Sequence, residues 1–123
     1  MSAKPRILII EDDLDMVEAV RLRLEANGYE ILTANDGKTG LDLARQEKPN
    51  LIVLDVMLPH LDGFTVCRML KFDEAYKEIP IIMFSARIQQ ADIQRSKEVG
   101  ANAYITKPFK SEELLAKIKE LLK

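Results

Sequence analysis

Cysteine is nearly missing from this sequence. Cys67 stands alone among 123 residues, so an intramolecular disulfide is excluded, and a chain without paired cysteines suits a reducing cytoplasm. Its place in a helix-like pattern reads as a buried or half-buried thiol. Glycine and proline, five of each, are too few for a low-complexity or collagen-like chain. No apolar run approaches the roughly 18 residues of a membrane span, and the N-terminal MSAKPR lacks the apolar core of a signal peptide. The expectation is a cytoplasmic protein with no membrane contact. An excess of one charge is also absent. Lys and Arg number 18 against 20 for Asp and Glu, a net charge of -2, so nothing general in the electrostatics favours nucleic acid or an anionic membrane. Histidine is as scarce as cysteine: His60 is the only one and reads as an exposed loop residue.

What remains is ordinary globular composition, 47% hydrophobic and 31% charged, at a length that fits one domain over residues 1–123. Along it two periods alternate. The run Arg6 to Ile10 reads as a strand, and Met16, Val17, Val20 and Leu24 then repeat at helical spacing until Asn27-Gly28. Tyr29 to Asn35 has strand character. A turn signal at Asp36-Gly37 follows, then a short helix through Leu41 and Ala44 that ends before Pro49. Leu51 to Asp55 is a third strand, Met57 to Gly63 a loop, and Phe64 to roughly Phe72 a helix with Val66, Met69 and Leu70 inward. Pro80 introduces a fourth strand, Ile81 to Ser85. Gln90 to Val99 reads as a weakly amphipathic helix capped by Gly100, and Ala103 to Thr106 as a fifth strand. Ser111 is the expected N-cap of the last helix, with Glu112 and Glu113 in its first turn and Leu114, Leu115, Ile118, Leu121 and Leu122 as its apolar stripe. Five strand-helix units with nearly continuous apolar strands predict a doubly wound α/β fold, a parallel sheet covered on both faces by five helices. A closed eight-fold barrel needs about twice the length.

In such a sheet, ligands bind beyond the carboxyl ends of the strands. There the sequence places Glu11-Asp12-Asp13 after strand one, Asp55 at the end of strand three, Ser85 at the end of strand four and Lys107-Pro108 after strand five. Each alone has an ordinary explanation: Asp13 or Asp15 as a helix cap, Ser85 bonded to a loop amide, Lys107 solvated. Their convergence on one edge does not. Two unit charges about 4 Å apart repel by roughly 1 kcal/mol in water and about 4 kcal/mol near a protein surface, so Glu11, Asp12 and Asp55 together call for a cation. Carboxylate oxygens without a His or Cys cluster suit Mg²⁺, or Mn²⁺, rather than zinc, and Mg²⁺ commonly completes its shell with phosphate oxygens. Lys107 and Ser85 could then meet a phosphoryl group, with a carboxylate as the attacking group that becomes an aspartyl phosphate.

These residues resemble the receiver domain of two-component response regulators, whose single-domain form is the chemotaxis regulator. The resemblance covers essentially the whole chain. It rests on the acidic pair Glu11-Asp12, the loop pattern Asp55, Met57, Pro59, Asp62, Gly63, the pair Ser85-Ala86 and the triplet Lys107-Pro108-Phe109. It implies a flavodoxin-like sheet of order 2-1-3-4-5, with Asp55 as phosphoacceptor for a phosphohistidine of a sensor histidine kinase or phosphotransfer protein. Asp12 and Asp55 would ligate Mg²⁺ directly, Met57 through its backbone carbonyl and Glu11 through water. Ser85 and Lys107 would hold phosphoryl oxygens, Ala86 would leave room for them, and the Lys107-Pro108 peptide would be cis. Ser85 and Tyr104 would form the switch to a downstream target or output domain, acting as a monomer or a phosphorylation-dependent homodimer. Met57 and Arg87 occupy the positions that tune hydrolysis, and their lack of a carboxylate or amide implies a long-lived phosphoryl state. The chain would modify only itself, without independent turnover and without touching nucleic acid.

Other classes fit less well. Phosphatases of the dehalogenase type resemble a D-x-D pattern around the nucleophile, where this chain has Met57. A flavin-mononucleotide binder of the same topology needs a phosphate loop that Glu11-Asp12-Asp13 would repel. A degenerate receiver that only binds protein is the remaining alternative, and the intact set of site residues argues against it.

Overall fold

The computed structural model describes residues 4–86 and 90–123. Five strands and five helices alternate: β1 (Arg6–Ile10), α1 (Leu14–Ala26), β2 (Glu30–Ala34), α2 (Gly37–Glu47), β3 (Leu51–Asp55), α3 (Gly63–Lys71), β4 (Ile81–Ser85), α4 (Gln90–Glu98), β5 (Ala103–Thr106) and α5 (Ser111–Leu121). All strand pairs are parallel and the order is β2-β1-β3-β4-β5. The doubly wound sheet that the alternation predicts is therefore present, as is the strand order that the resemblance implies.

Strand pleating divides the core in two, because successive side chains point to opposite faces. Leu8, Ile10, Ile52, Leu54, Ile81 and Met83 pack with α2 and α3. Ile7, Ile9, Leu51, Val53, Ile82 and Phe84 pack with α1 and α5. The central strands are thus buried on both sides, and each such side chain removed from water contributes about 1.5–3 kcal/mol. β3 is closed off along its whole length, down to Asp55. Among the described residues no helix is long and apolar enough to cross a membrane.

Local details depart from the sequence reading in three places. The Asp36-Gly37 turn signal is a helix start: the Asp36 carboxylate accepts from the Thr39 amide (2.8 Å) and the Thr39 hydroxyl (3.0 Å). Ser111 is not the cap of α5; Lys110 holds that position without a side-chain hydrogen bond, and Ser111 is the first helical residue. Met69 is 40% exposed, while α3 turns Phe64, Val66, Cys67 and Leu70 inward. It lies about 100° round the helix from Leu70, off the buried stripe. Cys67 is buried as expected, and burial pushes its thiol up to about 12 against the opposing charge of Lys71.

One backbone contact fixes the end of β3. The Gly63 amide donates to the Val56 carbonyl (2.9 Å), and Gly63 lies so close to β3 that a Cβ there would overlap the Asp55 carbonyl oxygen and come within 2.8 Å of the Val56 Cα. Both neighbours are main chain and cannot swing aside. Alanine is the better helix former by about 1 kcal/mol, yet Gly63→Ala is expected to lower the free energy of unfolding by about 1–3 kcal/mol through overpacking. Urea denaturation measures this, and a variant as stable as the parent would show that the contact relaxes freely.

Candidate functional site

The carboxyl ends of β1, β3, β4 and β5 meet at one edge, and each delivers a polar residue there. Glu11 directly follows β1, its amide continuing the sheet by donating to the Ala34 carbonyl (3.0 Å). Its side chain is only 1% exposed. Asp12 follows on the surface. Asp13 is a helix cap: its carboxylate accepts from the Met16 amide (3.2 Å), while its own amide donates to Glu11 Oε2 (3.0 Å). Asp13 therefore braces Glu11 and starts α1, which leaves Asp12 as the acidic residue facing solvent.

Asp55 is the last residue of β3 and 4% exposed. Its Oδ1 accepts from the Met57 amide (3.0 Å) and its Oδ2 from Lys107 Nζ (3.1 Å). Lys107 Nζ also donates to Glu11 Oε1 (2.6 Å). One ammonium thus joins two buried carboxylates contributed by residues far apart in the chain. Burial alone would pull the Lys107 pKa down; the hydrogen bond to Glu11 and the charge of Asp55 outweigh it and hold the pKa above the ordinary lysine value of 10.5. Because the folded pKa is raised, the contribution of the Lys107 ammonium to stability is present at neutral pH and is lost on the alkaline side, as pH rises through the lysine titration.

Carboxylate oxygens of Glu11, Asp12 and Asp55 all lie within 4.8 Å of one another. A hydrogen bond with Glu11, partial burial and the charge of Glu11 push the Asp12 carboxyl above the ordinary carboxylate value, against the pull of Lys107. Such a cluster of hard oxygen donors, only part of whose charge Lys107 balances, fits a divalent cation of the Mg²⁺ type.

The other expected residues sit around this core. Ser85 is fully buried at the end of β4, and its carbonyl accepts from the Lys107 amide (2.7 Å). The Lys107-Pro108 peptide is cis. Met57, 57% exposed, lies at the mouth beside Asp12, and Ala86 lines the adjoining cleft with Lys107 and Pro108. Tyr104 is half-buried against the α2–α3 core. Arg87 lies outside the described residues. His60 is exposed, with Nδ1 3.9 Å from Asp36 Oδ2, and stands apart from the acidic cluster.

Two contributors were not read from the sequence. Phe84, beside Asp55 in the β3–β4 register, presents its ring 4.9 Å from Lys107 Nζ and meets Phe109 edge to face with centroids 5.9 Å apart. This aromatic pair shapes the wall against which the ammonium rests. Aromatic residues one before Ser85 and two after Lys107 were the available signal. The Lys107–Glu11 bond was not read either: the alternation brings both residues to one edge, but nothing in the sequence pairs two positions 96 residues apart.

A family model described as "Response regulator receiver domain" matches residues 7–119. The chain is 47% identical over 119 residues to the DNA-binding dual master transcriptional regulator RpaA of Synechocystis, an alignment covering 97% of this chain and 49% of that protein. It spans about half the length of the curated relatives it matches first. Among solved structures, the Vibrio cholerae chemotaxis protein CheY4 is 31% identical with a TM-score of 0.91, covering 98% of this chain and 100% of that one. The receiver domain of the sensor histidine kinase PA1611 from Pseudomonas aeruginosa, solved with a magnesium ion coordinated in the active site cleft, is 29% identical with a TM-score of 0.89, covering 98% of each chain.

Removing the ammonium should expose how much the buried acids depend on it. Lys107→Met leaves Glu11 and Asp55 without their cation and is expected to destabilise the metal-free protein by about 3 kcal/mol. Adding Glu11→Gln should recover part of that loss. Equilibrium denaturation of the two variants in chelator-treated buffer is the measurement, and a loss below about 0.5 kcal/mol, the range of an ordinary surface change, would mean that solvent already screens the cluster.

Proposed function

Since the chain belongs to the response regulator receiver domain family, we propose that Asp55 accepts a phosphoryl group from a phosphohistidine of a sensor histidine kinase or of a phosphotransfer protein. A receiver is a signalling module and not a turnover enzyme. The observation that carries the assignment is the single placement of Asp55: buried at the end of a strand, one oxygen held by the Met57 amide and the other by Lys107, with Glu11 and Asp12 beside it.

In the step proposed, a carboxylate oxygen of Asp55 forms a bond to phosphorus as the P–N bond to the donor imidazole breaks. The bonding electron pair leaves with the imidazole nitrogen. The stiff β3 strand and the Met57 amide aim the carboxylate, so little reorganisation is needed. Lys107 moves part of its hydrogen bonding from Asp55 to an oxygen of the arriving group, where its charge offsets the added negative charge. Ser85 donates its hydroxyl to another of those oxygens. Asp12 and Asp55, with the Met57 carbonyl and with Glu11 through water, are the residues assigned to Mg²⁺ or Mn²⁺. When bound, the ion supplies positive charge between the carboxylates and the phosphoryl oxygens.

Ser85 and Tyr104 are assigned to the switch. By the β4–β5 register, Met83 pairs with Tyr104 and Ser85 with Thr106, so pleating puts Ser85 and Tyr104 on the same face of adjacent strands. α4 packs on this region through weak anchors: among its described side chains the buried ones are Asp92 and Ser96, at 5% and 2% exposure. A helix that buries polar groups in place of an apolar stripe has little to lose by shifting. The whole chain is assigned to one receiver domain acting in the cytoplasm, as a monomer or as a homodimer when phosphorylated. A protein target or an output domain receives the signal, as the transcriptional role named for RpaA suggests, while the receiver itself makes no nucleic acid contact.

Two measurements test this reading. Incubated with acetyl phosphate or phosphoramidate and Mg²⁺, the protein should gain one phosphoryl group by intact mass, and Asp55→Asn should fold normally but gain none. Modification of that variant at the parental rate would refute the assignment. Separately, Mg²⁺ at about a hundredfold above its dissociation constant should stabilise the fold by roughly 2.7 kcal/mol. Asp12→Asn should be more stable than the parent without the ion, because it removes one repelling charge, and should respond weakly to it. Equal Mg²⁺ responses in the two proteins would remove Asp12 from the ligand set.

A further inference from the structure

We propose that the groove between α3 and α4 docks an acidic, apolar segment of a partner protein. The groove is separate from the carboxylate cluster and encloses about 570 Å³, within the usual size of a ligand or peptide site. Its floor is Phe64 and Val99, and its rim carries Phe72 at 66% and Met69 at 40% exposure. Two large apolar side chains exposed together beside an apolar floor are unusual on a surface that only meets water.

Charge selects the occupant. Arg95 rests over the Phe64 ring (4.6 Å) and Arg68 over the Phe72 ring (5.7 Å). Arg6, Arg21 and Arg23 each hold a carboxylate, whereas among the described residues neither groove arginine forms an ion pair. Glu98 is the one carboxylate in the lining. A guanidinium stacked on an aromatic face keeps its N–H edge available for a carboxylate. The combination of apolar floor and two available forks matches an amphipathic segment with leucine-like side chains flanked by Asp or Glu. It opposes a basic segment, and two cations are few for a nucleic acid backbone. Phe64 and Arg95 also line the adjoining depression with Asp12 and Met57, so an occupant would end at the mouth of the acidic site.

The test is a titration of ¹⁵N-labelled, unphosphorylated protein with a synthetic helical peptide carrying leucines at i, i+3, i+4 and i+7 flanked by glutamates, and with its lysine-substituted twin. The acidic peptide should bind at least about tenfold more tightly than the basic one, with shift changes centred on Phe64, Arg68, Phe72 and Arg95. The double variant Arg68→Glu, Arg95→Glu should lose that preference. Equal affinity for the two peptides, shifts centred elsewhere, or an unchanged preference in the variant would overturn the proposal. So would line broadening at the groove on concentrating the protein alone without any peptide response, which would make a second copy the occupant. If the charge reversal unfolds the chain, Phe72→Ala with Met69→Ala takes its place: several-fold weaker binding supports the proposal and unchanged binding overturns it. No phosphoryl group is needed, so the outcome is independent of the role assigned to Asp55.

Discussion

The ammonium of Lys107, set between the buried carboxylates of Glu11 and Asp55 at 2.6 and 3.1 Å, is the interaction on which the rest of this site depends. Glu11 is 1% and Asp55 4% exposed, and a buried charge without a partner is costly. One lysine balances part of that charge and leaves Asp12 at the surface with its pKa raised. The arrangement is therefore unfinished in an electrostatic sense. It holds three acids close together and keeps a demand for further positive charge, which is the condition under which a divalent ion and then a phosphoryl group can be accommodated in turn.

The fold exists at this edge to make that proximity rigid. β1 and β3 are adjacent and buried on both faces, so Glu11 and Asp55 leave the sheet with fixed spacing and direction. β4 and β5 close the other side, where the Lys107 amide is tied to the Ser85 carbonyl and its Nζ lies over Phe84. Gly63 closes the loop after β3 by letting the start of α3 press on the Asp55 carbonyl. Each of these contacts has main chain or a packed aromatic ring on at least one side, and those groups move little. By contrast α4 buries Asp92 and Ser96 and, among its described side chains, has no comparable apolar stripe. In the switch proposed above, stiffness around Asp55 and slack in α4 are complementary: strands that cannot yield would pass a local change of charge to the helix that can.

The same contrast orders the surface. The cleft along α1, lined by Met16, Val20, Pro108 and Phe109, and the groove between α3 and α4 both open near the acidic edge. Phe64 and Arg95 reach from that groove to Asp12 and Met57. A protein docked in either place is within reach of the site that carries the charge.

Strand and helix alternation was legible in the sequence because burial on both faces of a parallel sheet leaves continuous apolar runs such as Leu51 to Leu54, and because covering helices keep a stripe of period near 3.6. The gathering of Glu11, Asp12, Asp55, Ser85 and Lys107 was legible for the same reason, since the ends of those runs all fall at one edge. Cap details were not: Ser111 has the right side chain for an N-cap, but the path of the loop after Pro108 sets the helix start one residue earlier. Met69 was misplaced because a short helix has too few turns to fix the phase of its buried face. Sequence by itself determined which groups reach the edge. Only the tertiary structure decided how they pair, joining Lys107 to Glu11 across 96 residues and resting it on Phe84, because side-chain partnership depends on distances that open only when strands remote in the chain lie side by side.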